Sequence, residues 1–159
     1  MKKPSAGILP YRKNNSEYEV FLVHPGGPYW MNKDLHAWSV AKGEFEEDEE
    51  PLATAKREFQ EETGYNISGE FIKLEPVKQP NGKIIHTWAV EADFDASKIT
   101  SNFFEMEWPP RSGKFQEFPE VDRGGWFTFN KAVYKIISGQ IPILKNLAEM
   151  LGVKDFTTL

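Results

Sequence analysis

Three carboxylates, Glu58, Glu61 and Glu62, stand three and four residues apart in the run Arg57-Glu58-Phe59-Gln60-Glu61-Glu62-Thr63-Gly64. At helical pitch, residues so spaced are neighbours on one face. Gly64 supplies a left-handed stop, so the three acids crowd the C-terminal end of that helix. The helix dipole is negative there and disfavours each carboxylate by about 0.3–1 kcal/mol. The like-charged pair four apart adds roughly 0.2–0.5 kcal/mol. Lys56 and Arg57 are too few to neutralise three acids. A hard divalent cation turns this repulsion into attraction. Mg2+ takes oxygen ligands octahedrally and keeps waters and substrate phosphates among them, and Mn2+ suits the same donors. The other reading is a solvated acidic helix face, and the spacing by itself supports both readings evenly.

The charge distribution sharpens the question. The chain has 159 residues, 24 acidic and 19 basic, and a formal net charge of −5. The stretch from Gly43 to Glu62 alone carries −7, and everything else together +2. A compact cluster of like charges repels itself and needs either solvent or counter-ions. An acidic total argues against a nucleic-acid-binding surface. The absence of cysteine excludes a disulfide scaffold, a thiolate zinc site and a cysteine nucleophile.

The elements that must position these acids are legible in outline. Pro51 to Thr63 reads as a helix, with Pro51 at its first position, Glu50 as a weak N-cap, and Leu52, Ala55 and Phe59 as its apolar stripe. Ser5–Tyr11 and Tyr18–His24 read as strands joined by a polar turn over Arg12–Glu17. His24–Asp34 is a Gly- and Pro-rich loop, and His36–Val40 a short strand. Phe71–Lys78 and Lys83–Phe94 read as strands around the turn Pro80-Asn81-Gly82. Phe103–Glu120 reads as a long irregular segment, broken by Pro109, Pro110, Gly113 and Pro119. Trp126–Phe129 is the last strand. Asn130 caps a helix ending near Gly139, and a final helix runs from about Pro142 to Leu151. Together these describe a mixed α/β (α+β) domain, with a central helix and C-terminal helices packed on antiparallel and mixed strands.

Gly43 is followed after five residues by Glu49, and seven residues later by Arg57-Glu58-Phe59-Gln60-Glu61-Glu62-Thr63-Gly64-Tyr65. This resembles the Nudix box, Gly-x5-Glu-x7-Arg-Glu-U-x-Glu-Glu-x-Gly-U, with U a bulky apolar residue. Every fixed position is matched, and aromatic Phe59 and Tyr65 occupy the U positions. Ser5–Tyr11 is similar to the family's first strand, Trp38–Gly43 to the segment leading into the box, and Trp126-Phe127 to its last strand. The resemblance spans nearly the whole chain and implies one Nudix domain over 1–159, an α/β/α sandwich with a mixed central sheet. It implies a Mg2+-dependent hydrolase that cleaves a nucleoside diphosphate linked to another moiety. Glu58, Glu61 and Glu62 match the family's metal ligands, and Glu58 also stands where a general base is assigned. Arg57 matches a residue that stabilises the motif by pairing with an acid, Glu49 being a candidate. Gly43 and Gly64 match the turn glycines. The spacing does not choose the base; the competing candidate is an acid from the loop before Trp126.

Among the acids of that loop, Glu105, Glu107, Glu117 and Glu120, the last is favoured because it lies just before the final strand. Lys42 and the adjoining Gly43 are assigned to the substrate, with the lysine reaching a phosphate as a point charge. Arg111 and Lys114 are candidates to close over phosphates. Tyr29 and Trp30, in the Gly-Pro loop, are candidates to stack on a base. His24, His36 and His86 share no ligand pattern and read as structural. Met1–Lys13 does not read as a signal peptide, and no run approaches the roughly 18 apolar residues of a membrane span, so the expected setting is cytoplasmic. The expected partner is a small nucleotide: a dinucleoside polyphosphate or nucleoside triphosphate first, ADP-ribose or another nucleotide sugar second. A nucleotide-binding sensor without turnover is a third reading. The sequence sets neither the scissile bond nor the oligomeric state.

Overall fold

Ser5–Asn14 (β1) and Glu17–Pro25 (β2) form an antiparallel hairpin in the computed structural model, which describes residues 2–154. Asn15 and Ser16 turn the chain with φ of 51° and 72°. Positive φ at both central residues matches the right-handed twist of the flanking strands. β1 lies between that hairpin partner and Ile84–Glu91 (β6), to which it runs parallel, and it also carries the short antiparallel strand Ala41–Glu44 (β3). On the far side β2 pairs with Val121–Thr128 (β9). Ile72–Lys73 (β4) and Val77–Lys78 (β5) both pair with β6. The result is a mixed seven-stranded sheet of order β4-β6-β1-β2-β9, with β3 and β5 attached at its side.

Alternation along the strands divides the core. Leu9, Tyr11, Val20 and Leu22 point to one face, under the helices Phe129–Lys135 (α2) and Ile141–Leu151 (α3). Ala6, Ile8, Phe21 and Val23 point to the other, under the helix Pro51–Thr63 (α1). Central strands buried on both faces give the continuous apolar runs of β1 and β2. α1 has the boundaries read from Pro51 and Gly64. The Glu50 carboxylate accepts from Ala53 N at 2.7 Å, and Gly64 closes the helix at φ 81°. Its stripe ends in Phe59, which is fully buried against Phe21; burial of such a side chain stabilises the fold by about 1.5–3 kcal/mol. Among the described residues no helix is long and apolar enough to cross a membrane.

Several elements differ from expectation, each for a local reason. His36–Val40 is not a strand. His36 takes φ 54° and Trp38 bonds its backbone to Lys135 and Ile137, so only isolated bridges form before β3 begins at Ala41. Phe103–Glu120 is not irregular: it holds the antiparallel hairpin Phe103–Glu107 (β7) and Phe115–Pro119 (β8). Its Pro109 and Pro110 fall in the turn, where no ladder donor is needed. The Glu107 carboxylate accepts from Arg111 N and Gly113 N there. Phe71–Lys78 splits into β4 and β5 because Pro76 has no N–H and Glu75 N donates to Asn146 instead. The last strand begins at Val121 rather than Trp126. Thr128, not Asn130, holds the N-cap position of α2, which ends at Lys135 and is followed by a short 3-10 turn at Ser138–Gln140.

Candidate active site

α1 packs on β1 and β3 with its C-terminal acids beside the latter. Gly43 lies inside β3, and it does not make a turn. A Cβ at that position would collide with the Glu58 carboxyl carbon and Oε1. The glycine therefore opens the space in which Glu58 stands, a close-approach role that spacing does not distinguish from a turn role. Gly64 does terminate a helix, and a Cβ there would collide with the Thr100 hydroxyl.

The last carbonyls of a helix have no partner within it. Here Asn102 N donates to Glu61 O at 2.8 Å and Thr100 N to Thr63 O at 2.9 Å. The same segment holds the fourth acid, since Glu120 N donates to Asn102 O at 2.9 Å, while Glu120 O accepts from Gly26 N at 2.9 Å. Backbone bonds alone thus join the helix end, Glu120 and the Gly26–Trp30 loop. These backbone braces have no signature in the sequence. His24, fully buried, fastens the other end of that loop, with Nε2 2.6 Å from Lys33 O and Nδ1 2.8 Å from Asp122 Oδ1.

Arg57 spreads over the acids, 3.2 Å from Glu61, 3.5 Å from Glu49 and 3.6 Å from Glu58. Glu58 is half-buried, and burial raises its pKa; Glu61 adds to the rise, and Arg57 opposes it. Glu62 is only 7% exposed. Burial first, then the charges of Glu58 and Glu120, push it up to about 8, against a smaller lowering by Lys42. Burial and Lys83 lower the pKa of Lys42, while Glu62, Glu44 and Glu58 support its charge. Titratable groups displaced together by burial and by one another make this a candidate functional site.

Two adjoining cavities share Pro25, Trp30 and Glu120. The smaller, about 200 Å³, has Lys42, Glu62 and Glu120 on its wall. The larger, about 490 Å³, is bounded by the Gly26–Trp30 loop and by Phe104 and Met106 of β7. The structure thus places Lys42, Glu62, Glu120, Tyr29 and Trp30 at one continuous cleft. Arg111 and Lys114 lie elsewhere, on the exposed β7–β8 turn, and line neither cavity. Glu105 and Glu117 face each other across that hairpin, and Glu107 caps its turn. Phe104 and Met106 were not legible as site residues. The one available signal was the apolar–acidic alternation of Phe104-Glu105-Met106-Glu107.

The acids fit a hard cation by the chemistry of their donors. All are carboxylate oxygens, and Glu62 borders the cavity with no hydrogen bond or ion pair to another described residue. Among the described residues, no three such side chains are gathered closely enough to hold an ion alone. Waters and substrate oxygens would complete the shell, as Mg2+ prefers.

The profile of the NUDIX domain matches residues 1–147. No curated protein matches the chain in sequence. Among solved structures, the NUDIX domain of Shewanella oneidensis NrtR complexed with ADP ribose is similar at a TM-score of 0.67 and 14% identity, over 95% of this chain and 89% of that one. A Caenorhabditis elegans Ap4A hydrolase is similar at 0.65 and 18%, over 93% and 98%. A NUDIX hydrolase of Listeria monocytogenes is similar at 0.65 and 16%, over 99% and 100%. These likenesses share the sheet and helix arrangement described above, and with the profile match over nearly its full length, the chain belongs to the NUDIX domain family.

Proposed function

We propose that this Nudix pyrophosphohydrolase cleaves a phosphoanhydride bond in a nucleoside triphosphate or dinucleoside polyphosphate. The observation that carries the reading is the continuity of a carboxylate- and lysine-lined cavity with an aromatic cleft, joined at Trp30 and Glu120. A polyphosphate suits the first and a planar base the second. Glu58, Glu61 and Glu62 would hold a divalent cation, Mg2+ or Mn2+. When bound, such an ion neutralises diphosphate oxygens and acidifies water.

The chain's own residues do the rest. Lys42 offers a point charge to a phosphate oxygen, and the same phosphate supports the charge that burial disfavours. Tyr29 and Trp30 stack on the base. Glu58 accepts the proton of the attacking water as the new P–O bond forms and the anhydride P–O bond breaks. Burial raises its pKa toward neutrality, which makes it a better proton acceptor than an exposed glutamate. Arg57 limits that rise.

A nucleotide sugar such as ADP-ribose is the second reading, favoured by the ADP ribose complex of the Shewanella domain. Purified protein with Mg2+ is given nucleoside triphosphates, dinucleoside polyphosphates and nucleotide sugars, and the phosphate products are identified. Turnover of triphosphates or dinucleoside polyphosphates at higher kcat/KM than of nucleotide sugars supports the first reading. The opposite order replaces it with the second. Binding without any product makes the protein a nucleotide sensor.

A further inference from the structure

The larger cavity differs in chemistry from a site that reads a base by its edge. Its loop wall carries Pro25 and Pro28, which have no N–H, and Gly26 and Trp30, whose N–H groups donate to Glu120 O and Gly27 O. Its other wall is the apolar pair Phe104 and Met106 from β7. Among the described residues, no serine, threonine, asparagine or glutamine lines it. Apart from Glu120, which also borders the phosphate end, the side-chain hydrogen-bonding groups are the Trp30 indole N–H and the hydroxyl of Tyr29, itself 55% exposed. The two walls are held close. Gly27 takes φ 99°, and a Cβ there would lie 3.1 Å from Phe104 Cζ. A Cβ on Gly26 would collide with the Pro119 carbonyl oxygen of β8.

Telling adenine from guanine requires groups matched to the substituents that differ. Adenine offers an amino donor where guanine offers a carbonyl, whereas the neighbouring ring nitrogen accepts in both. Strong discrimination comes from buried polar groups left unpaired by the wrong partner. A cleft of rings, a thioether and prolines has almost none. Stacking, by contrast, tolerates any base, because every base has a π-face.

We propose that the β7–β8 hairpin supplies the second wall of a base-binding cleft, and that Phe104 and Met106 with Trp30 grip a purine by its faces without reading its edge. The enzyme therefore accepts adenine and guanine nucleotides alike. This rests on the assignment of a nucleotide substrate above. Phe104 and Met106 are specificity-determining residues, and they take no part in the bond cleavage.

The test measures kcat/KM for ATP, GTP and ribose 5-triphosphate, which lacks a base, on the wild type and on Phe104→Leu and Met106→Ala. ATP and GTP should agree within about tenfold, and the base-free substrate should be worse through KM. Each substitution should lower the ratio of ATP to ribose 5-triphosphate by about fivefold or more, as expected for a lost stacking contact. An ATP-to-GTP ratio beyond tenfold overturns the edge-blind reading, and an unchanged ratio to the base-free substrate in both variants overturns the hairpin's role. Phe104→Leu keeps apolar volume in the hairpin, and circular dichroism checks both variants. If no nucleoside polyphosphate is turned over, the proposed function fails separately, and calorimetry with AMP and GMP tests the cleft directly. Similar affinities for the two, weakened in the variants, uphold it; no binding of either overturns it.

Discussion

Glu62 offers the most direct physical test, because its predicament exists before any ligand arrives. Its carboxyl is buried, faces the like charges of Glu58 and Glu120, and is pushed up from 4.5 to about 8. A carboxyl raised in the fold favours the folded state while protonated. The stabilisation is complete below pH 4.5 and is lost as pH rises through about 8. One pKa unit is about 1.4 kcal/mol, so the full shift bounds the loss at about 5 kcal/mol. The carboxylate borders a cavity of about 200 Å³, and solvent screening there would leave roughly 2–3 kcal/mol. For a domain of this size each kcal/mol moves Tm by about 2–4 °C, which gives roughly 5–10 °C.

The perturbation is Glu62→Gln, which keeps the shape of the protonated acid and removes its titration. Calorimetric scans are run on chelator-stripped protein at pH 4 and pH 9. At pH 4, below the unfolded pKa, wild type and variant should melt within about 2 °C of each other. At pH 9 the variant should melt about 5–10 °C higher. Other groups titrate over this range in both proteins and cancel in the comparison. Addition of Mg2+ at pH 9 should raise the wild-type Tm and erase most of the difference. Equal pH dependence in the two proteins would refute the argument that burial strains the carboxylate, and a variant less stable at pH 9 would reverse its sign.

Four further outcomes follow from the same geometry. Glu58→Gln should lower kcat by about 10²–10⁴-fold with Tm nearly unchanged, as loss of a general base does; wild-type turnover would move the base elsewhere, with Glu120 next to be tested. Gly43→Ala should drive Glu58 from its place, lowering kcat/KM by about hundredfold while costing less than about 6 °C in Tm; full activity would mean that the carboxylate tolerates displacement. Arg57→Gln should shift the acid limb of the kcat/KM profile to higher pH, since Arg57 holds the Glu58 pKa down, and an unmoved or lowered limb contradicts the pairing. Chelation should abolish turnover, and Mg2+ or Mn2+ should restore it; activity surviving exhaustive chelation removes the cation from the reaction.

What the sequence reveals depends on whether the cause is local. α1 is legible to the residue because Pro51 fixes its own φ at the first position and Gly64 takes the left-handed φ that ends the helix. The convergence of Glu58, Glu61 and Glu62 on one face follows from pitch alone. Gly43 was misread because a turn glycine and a close-approach glycine look identical until the helix that presses on it is placed. The β7–β8 hairpin reads as irregular in the sequence because its prolines outweigh the alternation, although Pro109 and Pro110 lie in the turn. Glu120 was found by its position before the last strand, but what brings it to the helix is Asn102, a backbone link with no sequence signature.

The braces also explain how the chain tolerates its charge. The stretch from Gly43 to Glu62 carries −7, and Arg57 alone touches three of those acids. Side-chain ion pairs at exposed positions contribute little, about 0–1 kcal/mol each, so Arg57 does not hold the cluster together. The holding is done by bonds that carry no net charge: Asn102 and Thr100 to the helix end, Glu120 to Asn102, Gly26 to Glu120. With the helix end fixed there, burial first and the neighbouring carboxylates second disfavour the charged forms of Glu58 and Glu62, whose pKa values are raised, so that binding a proton relieves the cost. A divalent cation with its phosphates would meet the same demand with more charge. Proton and cation would then compete for one set of oxygens, and the affinity for Mg2+, measured by titration calorimetry, should climb as pH rises toward about 8 and level off above it. The net charge of −5 describes the metal-free protein, and it is the state least suited to receive a polyphosphate.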